Sequence, residues 1–332
     1  MSITLIATVL NEGDNIHHMM EGLLQQTRQP DEIIIVDGGS TDNTVETLRS
    51  YSDRLPVQVI VRDGCNISEG RNIAINAAQG EILAITDAGT RLSDEWLENI
   101  TQPLLDDANL SVVAGFFKAD PQNTFELAMG ATVLPLVDEI DPTSFLPSSR
   151  SVAARKSAVQ AVSGYPEWLD YCEDLVFDMR LQKTQPAFYF QPDALVYFRP
   201  RETMTSYFKQ YYRYARGDGK ADLWRKRHLI RYITYLVIAP AILLLSIFVH
   251  PAFSLLFLFG GAVYLYQPYR RLPTLMQDNP DQSLLAWIWA IILIPIIRVV
   301  GDVAKMLGYP VGLRWRMQHN PPDWRIIEVS SS

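Results

Sequence analysis

Short apolar runs alternate with polar loops along the first 90 residues, and their spacing predicts strands that alternate with helices. Four runs rich in β-branched residues are typical of buried strands: residues 3–10, 32–36, 57–61 and 82–86. Helical periodicity is found in residues 16–26 and 68–78. A third helix, which Thr41 or Asp42 would cap, is predicted to end at Leu48. Strands and helices in this order form βαβ units, so we predict an α/β fold with a mainly parallel sheet.

The pattern changes after residue 200, where aromatic and basic residues interleave at helical spacing between 207 and 216. This composition favours an amphipathic helix at a membrane interface; the alternative is a surface helix whose aromatic face packs on protein. Three apolar runs follow, at residues 229–249, 252–266 and 284–297, the last extended towards Leu307. The first is long enough to cross a bilayer with a core of about 30 Å. Because a soluble core would have to be very large to bury all three, we expect helices embedded in a membrane.

Basic residues near the apolar runs predict their orientation, because Lys and Arg in short loops favour the cytoplasmic side. Residues 225–231 and the pair Arg270-Arg271 should both be cytoplasmic, so the first two runs would form a hairpin. Arg314 and Arg316 would lie outside if the third run crossed the membrane, so we expect that run to re-enter instead. The predicted protein is therefore multi-pass in the cytoplasmic (inner) membrane, with its N-terminal domain in the cytosol. Its predicted parts are an α/β domain at 1–200, amphipathic interfacial helices at 201–228 and membrane-embedded helices at 229–332.

Charge divides the chain in the same way. Residues 1–200 carry 13 Lys and Arg against 29 Asp and Glu, whereas the remaining residues carry 16 against 8. An acidic N-terminal domain argues against a nucleic-acid partner, since phosphate backbones require a basic face. A basic and apolar C-terminal third suits an anionic membrane surface. The two cysteines, Cys65 and Cys172, form no CxxC or His/Cys pattern, which makes a zinc site improbable.

Polar residues follow the predicted strands at the points where those strands end. They are Asn11-Glu12, Asp37-Gly38-Gly39, Asp63 and Asp87. In open α/β sheets ligands bind at the carboxyl ends of the strands, so these residues are candidates for a binding site. Clustered carboxylates repel one another, and a divalent cation that bridges a diphosphate would relieve this repulsion. Asp87 is placed for that role, and Gly89 beside it permits close approach by a ligand.

Four motifs occur in chain order at short spacings: Thr8-Val9-Leu10-Asn11-Glu12, Val36-Asp37-Gly38-Gly39-Ser40-Thr41-Asp42, Gly70-Arg71-Asn72 and Thr86-Asp87-Ala88-Gly89. Together they resemble the nucleotide-binding half of the family 2 inverting glycosyltransferases, which have the GT-A fold, a Rossmann-like nucleotide-sugar-binding domain. Two further segments, Ser163-Gly164-Tyr165-Pro166 and Glu173-Asp174, are similar to that family's acceptor-side segment and its catalytic Glu-Asp motif. Residues 210–214 are similar to its Gln-x-x-Arg-Trp motif, with Tyr214 in place of Trp. The resemblance covers about two-thirds of the chain.

The resemblance implies a set of nucleotide-sugar-binding residues: Asn11, Glu12, Asp37, Gly39, Asp63, Arg71, Asp87, Ala88 and Gly89. Asp37 and Asp63 would accept hydrogen bonds from the ribose or the base, and Arg71 would face the diphosphate. The alternative for Arg71 is an arginine on a helix surface. Asp87 would hold a divalent cation, Mg²⁺ or Mn²⁺. The family often has Asp-x-Asp where this chain has Asp87-Ala88-Gly89, so only one metal carboxylate is supplied.

The same resemblance implies that Asp174 is the general base of a single, inverting displacement. Glu173 is the less favoured base and could instead cap a helix over residues 175–181. The alternative for the pair is an acidic helix N-terminus that the helix dipole favours. Gln210, Arg213 and Tyr214 would lie on the acceptor side.

We therefore expect an enzyme that moves a sugar from a nucleotide-sugar donor to a lipid-linked acceptor at the cytoplasmic membrane face. The acceptor would be a polyprenyl phosphate or diphosphate, and the pathway polysaccharide or glycolipid biosynthesis. A processive polysaccharide synthase is one alternative, although three apolar runs are few for a polymer channel. A non-catalytic scaffold that senses nucleotide sugars is another. A nucleotidyltransferase would need a Gly-rich phosphate loop near the N-terminus, which is missing.

Overall fold

The computed structural model describes residues 1–185, 188–280 and 283–327, which form two compact units. Among the described residues, the first unit consists of Met1–Lys118, Val137–Arg199 and 321–327. The second consists of Ala119–Leu136 and Pro200–Asn320. The division predicted near residue 200 lies beside one of these boundaries, but the segment 119–136 groups with the C-terminal helices. The predicted boundary at 228 stays a prediction.

Eight strands form one mixed sheet. They are β1 Ile3–Val9, β2 Glu32–Asp37, β3 Val57–Val61, β4 Ile82–Ile85, β5 Thr90–Leu92, β6 Val112–Ala119, β7 Val152–Arg155 and β8 Tyr189–Phe198. Their order across the sheet is β3-β2-β1-β4-β7-β6-β8-β5. The strands β3, β2, β1 and β4 run parallel, whereas β7 is antiparallel to both β4 and β6 and β5 is antiparallel to β8. The predicted parallel arrangement is therefore correct for the four strands from which it was inferred, and the later strands make the sheet mixed.

In the part of the chain that the structure describes, seven helices accompany these strands. They are α1 Ile16–Leu24, α2 Thr44–Arg49, α3 Ile67–Ala77, α4 Trp96–Asp106, α5 Thr124–Val133, α6 Lys156–Ala161 and α7 Glu173–Thr184, of which α5 belongs to the second unit. The predicted helices over 16–26 and 68–78 are confirmed to within two residues. The helix predicted to end at Leu48 begins at Thr44, whose N–H and hydroxyl both donate to Asp42 Oδ1.

The sheet of the first unit is buried on both faces. One face of β1 packs with Met19 and Leu23 of α1 and with Trp96 of α4. Ile6 of β1 lies on the other face, in a cluster that includes Phe177 of α7. Strands that are covered on both sides have near-continuous apolar sequences, which explains the runs seen along the chain. The polar residues are left at the carboxyl ends of β1 to β4, where the chain leaves the core.

The described residues of the second unit contain five further helices. They are α8 Met204–Ala221, α9 Arg225–Ile233, α10 Ala239–Phe248, α11 Leu255–Gln277 and α12 Leu284–His319, and a π-helical turn Thr234–Ile238 joins α9 to α10. The end of α12 packs closely along α8. A Cβ atom on Gly308 would lie 2.1 Å from the Tyr212 carbonyl oxygen, and one on Gly312 would lie 2.0 Å from that of Arg216. Only glycine allows the two backbones to approach this closely.

The amphipathic helix predicted near 207–216 is α8. Tyr207 is 1% exposed, and its hydroxyl would lie 2.2 Å from a Cβ on Gly301 of α12. At this residue the alternative is correct, since the aromatic side chain packs on protein. Contact between the rest of the helix and a membrane surface stays a prediction.

Within the described residues, two helices are long and apolar enough to cross a membrane. They are Arg225–Phe248, which consists of α9, the π-helical turn and α10, and Leu284–His319. No residue in the most apolar part of the first is buried, and 28% of the corresponding part of the second is buried. The second predicted run lies in α11, which does not meet the same test. The third run was expected to re-enter. In the structure it belongs to one helix of 36 residues that continues past Arg314 and Arg316 and packs on α8 after residue 297. Its placement relative to a membrane stays a prediction.

Candidate active site

Asp37 ends β2 and organises the loop that follows it. Its side chain is fully buried, and its Oδ1 accepts hydrogen bonds from the backbone N–H groups of Gly39 at 2.9 Å and Ser40 at 2.8 Å. The Ser40 hydroxyl donates to the other carboxylate oxygen. Three donors thus converge on one carboxylate, which fixes the path of residues 37–40. The predicted contact of Asp37 with a nucleoside stays a prediction.

The loops after β1 and β3 are held against this loop. Asn11, in a left-handed conformation (φ 53°), accepts from Thr41 N–H at 2.9 Å, and its own N–H donates to the Ser40 hydroxyl. The Glu12 N–H donates to the Thr44 hydroxyl oxygen at 3.0 Å. The loops after β2 and β3 also approach each other closely. A Cβ on Gly39 (φ 97°) would lie 3.1 Å from Asp63 Oδ1, so glycine is required there. The structure therefore gathers five of the predicted residues into one group, called here the β1–β3 loop cluster: Asn11, Glu12, Asp37, Gly39 and Asp63.

Arg71 joins three separate segments. It lies in α3, whose N-terminus is fixed by a capping box between Asn66 and Glu69. Its side chain is only 3% exposed. One guanidinium nitrogen, Nη1, donates to Glu173 Oε1 and the other, Nη2, donates to Asp87 Oδ1, both at 2.8 Å. This arginine is therefore an internal bridge, and the alternative of a surface arginine is wrong.

The aromatic ring of Tyr165 supports the same guanidinium. The Cζ of Arg71 lies 4.9 Å from the ring centroid, within the range of a cation–π contact. Tyr165 is 1% exposed, its hydroxyl lies 2.8 Å from the Ser149 hydroxyl, and its ring stacks on Phe177. Burial raises the pKa of the Tyr165 phenol, so this group stays neutral. Arg71 therefore has two charged partners and one apolar support.

Asp87 is the least enclosed member of this group. It follows β4 in a tight turn, in which its carbonyl oxygen accepts from the Thr90 N–H and hydroxyl. Its side chain is 27% exposed, and Oδ2 lies 3.7 Å from Nε of Arg150. The guanidinium of Arg150 lies over the ring of Phe198, with Cζ 4.2 Å from the centroid. We call Arg71, Asp87, Arg150 and Glu173 the Arg71 cluster.

The two residues after Asp87 have different surroundings. Ala88 is 4% exposed and packs in the core on the α1 and α4 side of the sheet. The Ala88 side chain is therefore used for packing, and the predicted contact of Ala88 with the nucleotide sugar stays a prediction. Gly89 is exposed, and a Cβ added to it would meet no atom within 4 Å. Gly89 thus leaves open space beside the Asp87 carboxylate.

The residues around Asp87 do not fit a divalent cation held by the protein. Among the residues that the structure describes, no group of three or more His, Cys, Asp or Glu side chains could hold a metal ion. Both carboxylate oxygens of Asp87 face guanidinium groups, which carry the charge that a cation would supply. A cation at Asp87 would have to displace Arg71 or lie beside two positive charges. The arrangement therefore gives no support to the predicted Mg²⁺ or Mn²⁺ site on Asp87.

The first two turns of α7 bring three carboxyl groups together. Glu173 is its first residue, preceded by Cys172 in a left-handed conformation, and it binds Arg71 instead of capping the helix. Burial and, to a smaller extent, the charge of Asp174 raise the pKa of Glu173 to about 7, although Arg71 opposes both. Asp178, four residues after Asp174, is buried, and its pKa is raised well above the usual value by burial and by Asp174. Asp174 itself is half-buried, and its Oδ1 accepts from the Leu175 N–H at 2.8 Å.

This arrangement suits proton transfer. Two of the three carboxyl groups are shifted towards their neutral forms, which reduces the repulsion that a second and third negative charge would exert on Asp174. Asp174 is the member of the three that is neither buried nor paired with Arg71. It can therefore accept a proton from a bound hydroxyl group, which is the role predicted for it.

Three predicted residues lie in the second unit, on α8. Gln210 is buried, and its Nε2 donates to the hydroxyl of Tyr214 at 2.8 Å, one helical turn away. Arg213 is exposed. The structure thus pairs Gln210 with Tyr214, and the role of all three on the acceptor side stays a prediction.

Sequence reasoning missed two residues of the site. Asp178 could have been found, because it lies four residues after Asp174 in a predicted helix and therefore on the same face. Arg150 comes from the loop before β7, which has no motif, and its contact with Asp87 joins positions 63 residues apart. No local signal pointed to it.

Two family models match the sequence. The model of glycosyl transferase family 2 matches residues 4–148, and that of glycosyl transferase family group 2 matches residues 139–300. The chain is 26% identical over 257 residues to the succinoglycan biosynthesis protein ExoA of Rhizobium meliloti, covering 72% of this chain and 76% of ExoA. It is 26% identical to the O-antigen chain rhamnosyltransferase RfbN of Salmonella typhimurium, covering 63% of this chain and 71% of RfbN. The uncharacterized glycosyltransferase YibD of Escherichia coli is 33% identical, but the chain spans only 31% of YibD.

Solved structures identify the fold. The mannosyltransferase PcManGT from Pyrobaculum calidifontis, in complex with GDP-Man and Mn²⁺, matches with a TM-score of 0.55 and 15% identity, covering 96% of this chain and 87% of that one. Residues 1–349 of TarS from S. aureus, in complex with UDP-GlcNAc, match with a TM-score of 0.50 and 18% identity, covering 96% and 92%. The predicted GT-A fold is confirmed. With both family models matched between residues 4 and 300, the chain belongs to the family 2 glycosyltransferases.

Proposed function

We propose that this enzyme transfers one sugar, with inversion, from a nucleotide sugar to a lipid-linked acceptor at the cytoplasmic membrane face. The observation that carries the proposal is the position of Asp174. It lies next to Glu173, which Arg71 connects to Asp87 at the carboxyl end of β4. Asp174, a carboxylate that can accept a proton, is thus next in sequence to the residue that binds Arg71, a cationic group suited to a diphosphate.

The β1–β3 loop cluster and the Arg71 cluster divide the task. The loops after β1, β2 and β3 would receive the nucleoside, because they offer carboxylates and backbone groups at the carboxyl ends of parallel strands. Arg71 would face the diphosphate, since guanidinium groups bind phosphate oxygens strongly and in a fixed geometry. The sugar would then extend from the diphosphate towards α7.

The reaction needs one proton acceptor and no enzyme nucleophile. Asp174 takes the proton of the acceptor hydroxyl while that oxygen forms a bond to the anomeric carbon. On the opposite side, the bond from the anomeric carbon to the diphosphate oxygen breaks, and its electron pair leaves with the nucleoside diphosphate. A single displacement of this kind inverts the anomeric configuration.

The lipid acceptor is inferred from the second unit. Its two helices long and apolar enough to cross a membrane would hold the enzyme where a polyprenyl phosphate or diphosphate is found. The names of two relatives refer to the biosynthesis of succinoglycan and of the O-antigen chain, which supports a role in polysaccharide biosynthesis. We infer a multi-pass arrangement in the inner membrane from the same helices, with Arg225–Arg231 on the cytoplasmic side. Arg270-Arg271 would also be cytoplasmic only if α11 crosses the membrane as well.

The assignment of the base is tested with the full chain in nanodiscs. Nucleotide sugars are supplied together with polyprenyl phosphate or a polyprenyl-diphosphate-linked sugar as acceptor. Asp174→Asn should lower the transfer rate by about 10²–10⁴-fold, because the proton acceptor is removed. Binding of the nucleoside diphosphate product should be unchanged. Asp106→Asn, an exposed aspartate at the end of α4, is the matched control. Equal activity in Asp174→Asn and in the unmodified enzyme would show that another group accepts the proton.

The size of the product distinguishes single transfer from processive synthesis. Single transfer predicts an acceptor extended by one sugar at every stage of the reaction. A processive synthase predicts long products while most acceptor molecules remain unused. A scaffold that only senses nucleotide sugars predicts binding without any product.

A further inference from the structure

We propose that Arg71 and Arg150 together neutralise the donor diphosphate, so that this enzyme binds its nucleotide without a divalent cation. The inference rests on the proposed function, because it concerns the nucleotide of the same site. It starts from the disagreement between the predicted cation on Asp87 and the two guanidinium groups that surround that carboxylate.

The two arginines are held in place before any ligand binds. Arg71 is fixed by its two hydrogen bonds of 2.8 Å to Glu173 and Asp87 and by the ring of Tyr165. Arg150 is fixed by the ring of Phe198, 4.2 Å from its Cζ, and by a hydrogen bond of 2.9 Å from its Nη1 to the Ser148 hydroxyl. A charged group that is already ordered loses little conformational entropy when a ligand binds.

Asp87 acts here as a positioning residue. Its Oδ1 receives Arg71 and its Oδ2 faces Arg150, so this single carboxylate sets the separation of the two cations. Asp87 is also the most exposed of the three side chains, at 27% against 3% for Arg71 and 19% for Arg150. A ligand that reaches the Asp87 carboxylate from solvent therefore meets the guanidinium groups of both arginines beside it.

The chemistry of the leaving group requires positive charge, and arginine can supply it. As the bond between the sugar and the diphosphate breaks, negative charge develops on the diphosphate oxygen. A divalent cation can neutralise this charge, and so can two guanidinium groups that present planar pairs of N–H donors to phosphate oxygens. The interaction is electrostatic and requires no proton from either arginine.

Gly89 offers a sharp test, because a second carboxylate can be introduced at the position that lacks one. A side chain at residue 89 would enter open space, and its backbone is not in the left-handed region. Gly89→Asp therefore places two carboxylates two residues apart without a steric conflict. Gly89→Asn adds the same volume without the charge and is the matched control.

The experiment measures binding of UDP, GDP, CDP and dTDP to the full chain in detergent, by isothermal titration calorimetry, with either EDTA or Mn²⁺. For the nucleotide that binds, the dissociation constant should change by less than about threefold between the two conditions. Arg150→Gln should weaken binding by about tenfold in EDTA, as loss of a contact to a charged group predicts. Arg150→Gln should have little effect on the binding of the corresponding nucleoside monophosphate. Arg54→Gln, an exposed arginine paired with Glu21, should not affect binding.

Gly89→Asp should bind its nucleotide more tightly in Mn²⁺ than in EDTA, whereas Gly89→Asn should not. The inference is overturned if the unmodified enzyme loses its nucleotide in EDTA and regains it in Mn²⁺, or if Arg150→Gln binds normally. These results would leave the proposed function intact. If none of the four nucleotides binds in either condition, the proposed function fails, and the inference fails with it.

Discussion

The two parts of the active site are held together by different forces. In the β1–β3 loop cluster, Asp37 accepts hydrogen bonds from two backbone N–H groups and one hydroxyl, all within three residues. In the Arg71 cluster, ion pairs join α3 to α7 and to the loop after β4 across 102 and 16 residues. The first part is built from uncharged donors, within one loop and between loops 30 residues apart, whereas the second depends on buried charge. The difference predicts that the second part is the more costly to disturb.

The largest effect is expected when Arg71 is replaced. Arg71→Met leaves the buried Glu173 carboxyl without its cationic partner, and breaking a buried pair costs about 3–5 kcal/mol. We expect the free energy of unfolding of the full chain in detergent to fall by this amount in urea titrations. Arg71→Met/Glu173→Gln should recover part of the loss, since the unpaired carboxyl is then absent. If the single variant is as stable as the unmodified enzyme, the ion pair does not hold the segments together.

A smaller effect is expected from pH, through Glu173. Its pKa is about 7 in the folded protein and near 4.5 when exposed, so the folded state retains the proton more strongly. The stabilisation that this provides is complete below pH 4.5 and is lost as the pH rises to about 7 and above. It amounts to at most about 3–4 kcal/mol, because one pKa unit corresponds to about 1.4 kcal/mol.

Glu173→Gln provides the measurement, since an amide stays neutral at every pH. The stability of the unmodified enzyme relative to this variant should decrease between pH 5 and pH 8. The stability of the unmodified enzyme relative to Asp178→Asn should also decrease with rising pH, because burial raises the pKa of Asp178 as well. A difference that does not change with pH would show that Glu173 has the same charge throughout this range.

The smallest effect is expected in the β1–β3 loop cluster. Asp37→Ala removes the acceptor of three hydrogen bonds, and each donor can turn to water or to another group after a local change of the loop. We expect a loss of about 1–3 kcal/mol in the free energy of unfolding, together with weaker binding of the nucleotide. Asp63→Ala, at an exposed position of the same cluster, should weaken binding without a measurable loss of stability. If Asp37→Ala costs more than Arg71→Met, the ranking of the two parts is wrong.

The same contrast explains how much of the molecule could be predicted from the sequence. The four parallel strands and the helices between them follow from local apolar periodicity, and the loop residues after each strand follow from their position. The pairing of Arg71 with Glu173 could not be predicted from spacing, because it depends on how α7 packs on the sheet. The burial of the Ala88 side chain could not be predicted either, because a tetrapeptide does not show which of its side chains faces the core.

The length of the helix that contains the third apolar run could not be predicted from charge for a related reason. Charge bias near Arg314 and Arg316 predicted a segment that turns back, but it did not include the contact between α12 and α8. The glycines of α12 at 301, 308 and 312 allow that contact, and it extends one helix over 36 residues. Their spacing was visible in the sequence, and it is the signal that could have indicated a packed helix.

The central claim, that Asp174 serves a single displacement on a bound nucleotide sugar, is tested most directly by the anomeric configuration of the product. In the nanodisc transfer assay, the new linkage can be determined by NMR from the coupling constant of the anomeric proton. We predict the configuration opposite to that of the donor, and loss of the product in Asp174→Asn. A product that retains the configuration of the donor would contradict the account, since it requires either two displacements or attack from the side of the leaving group.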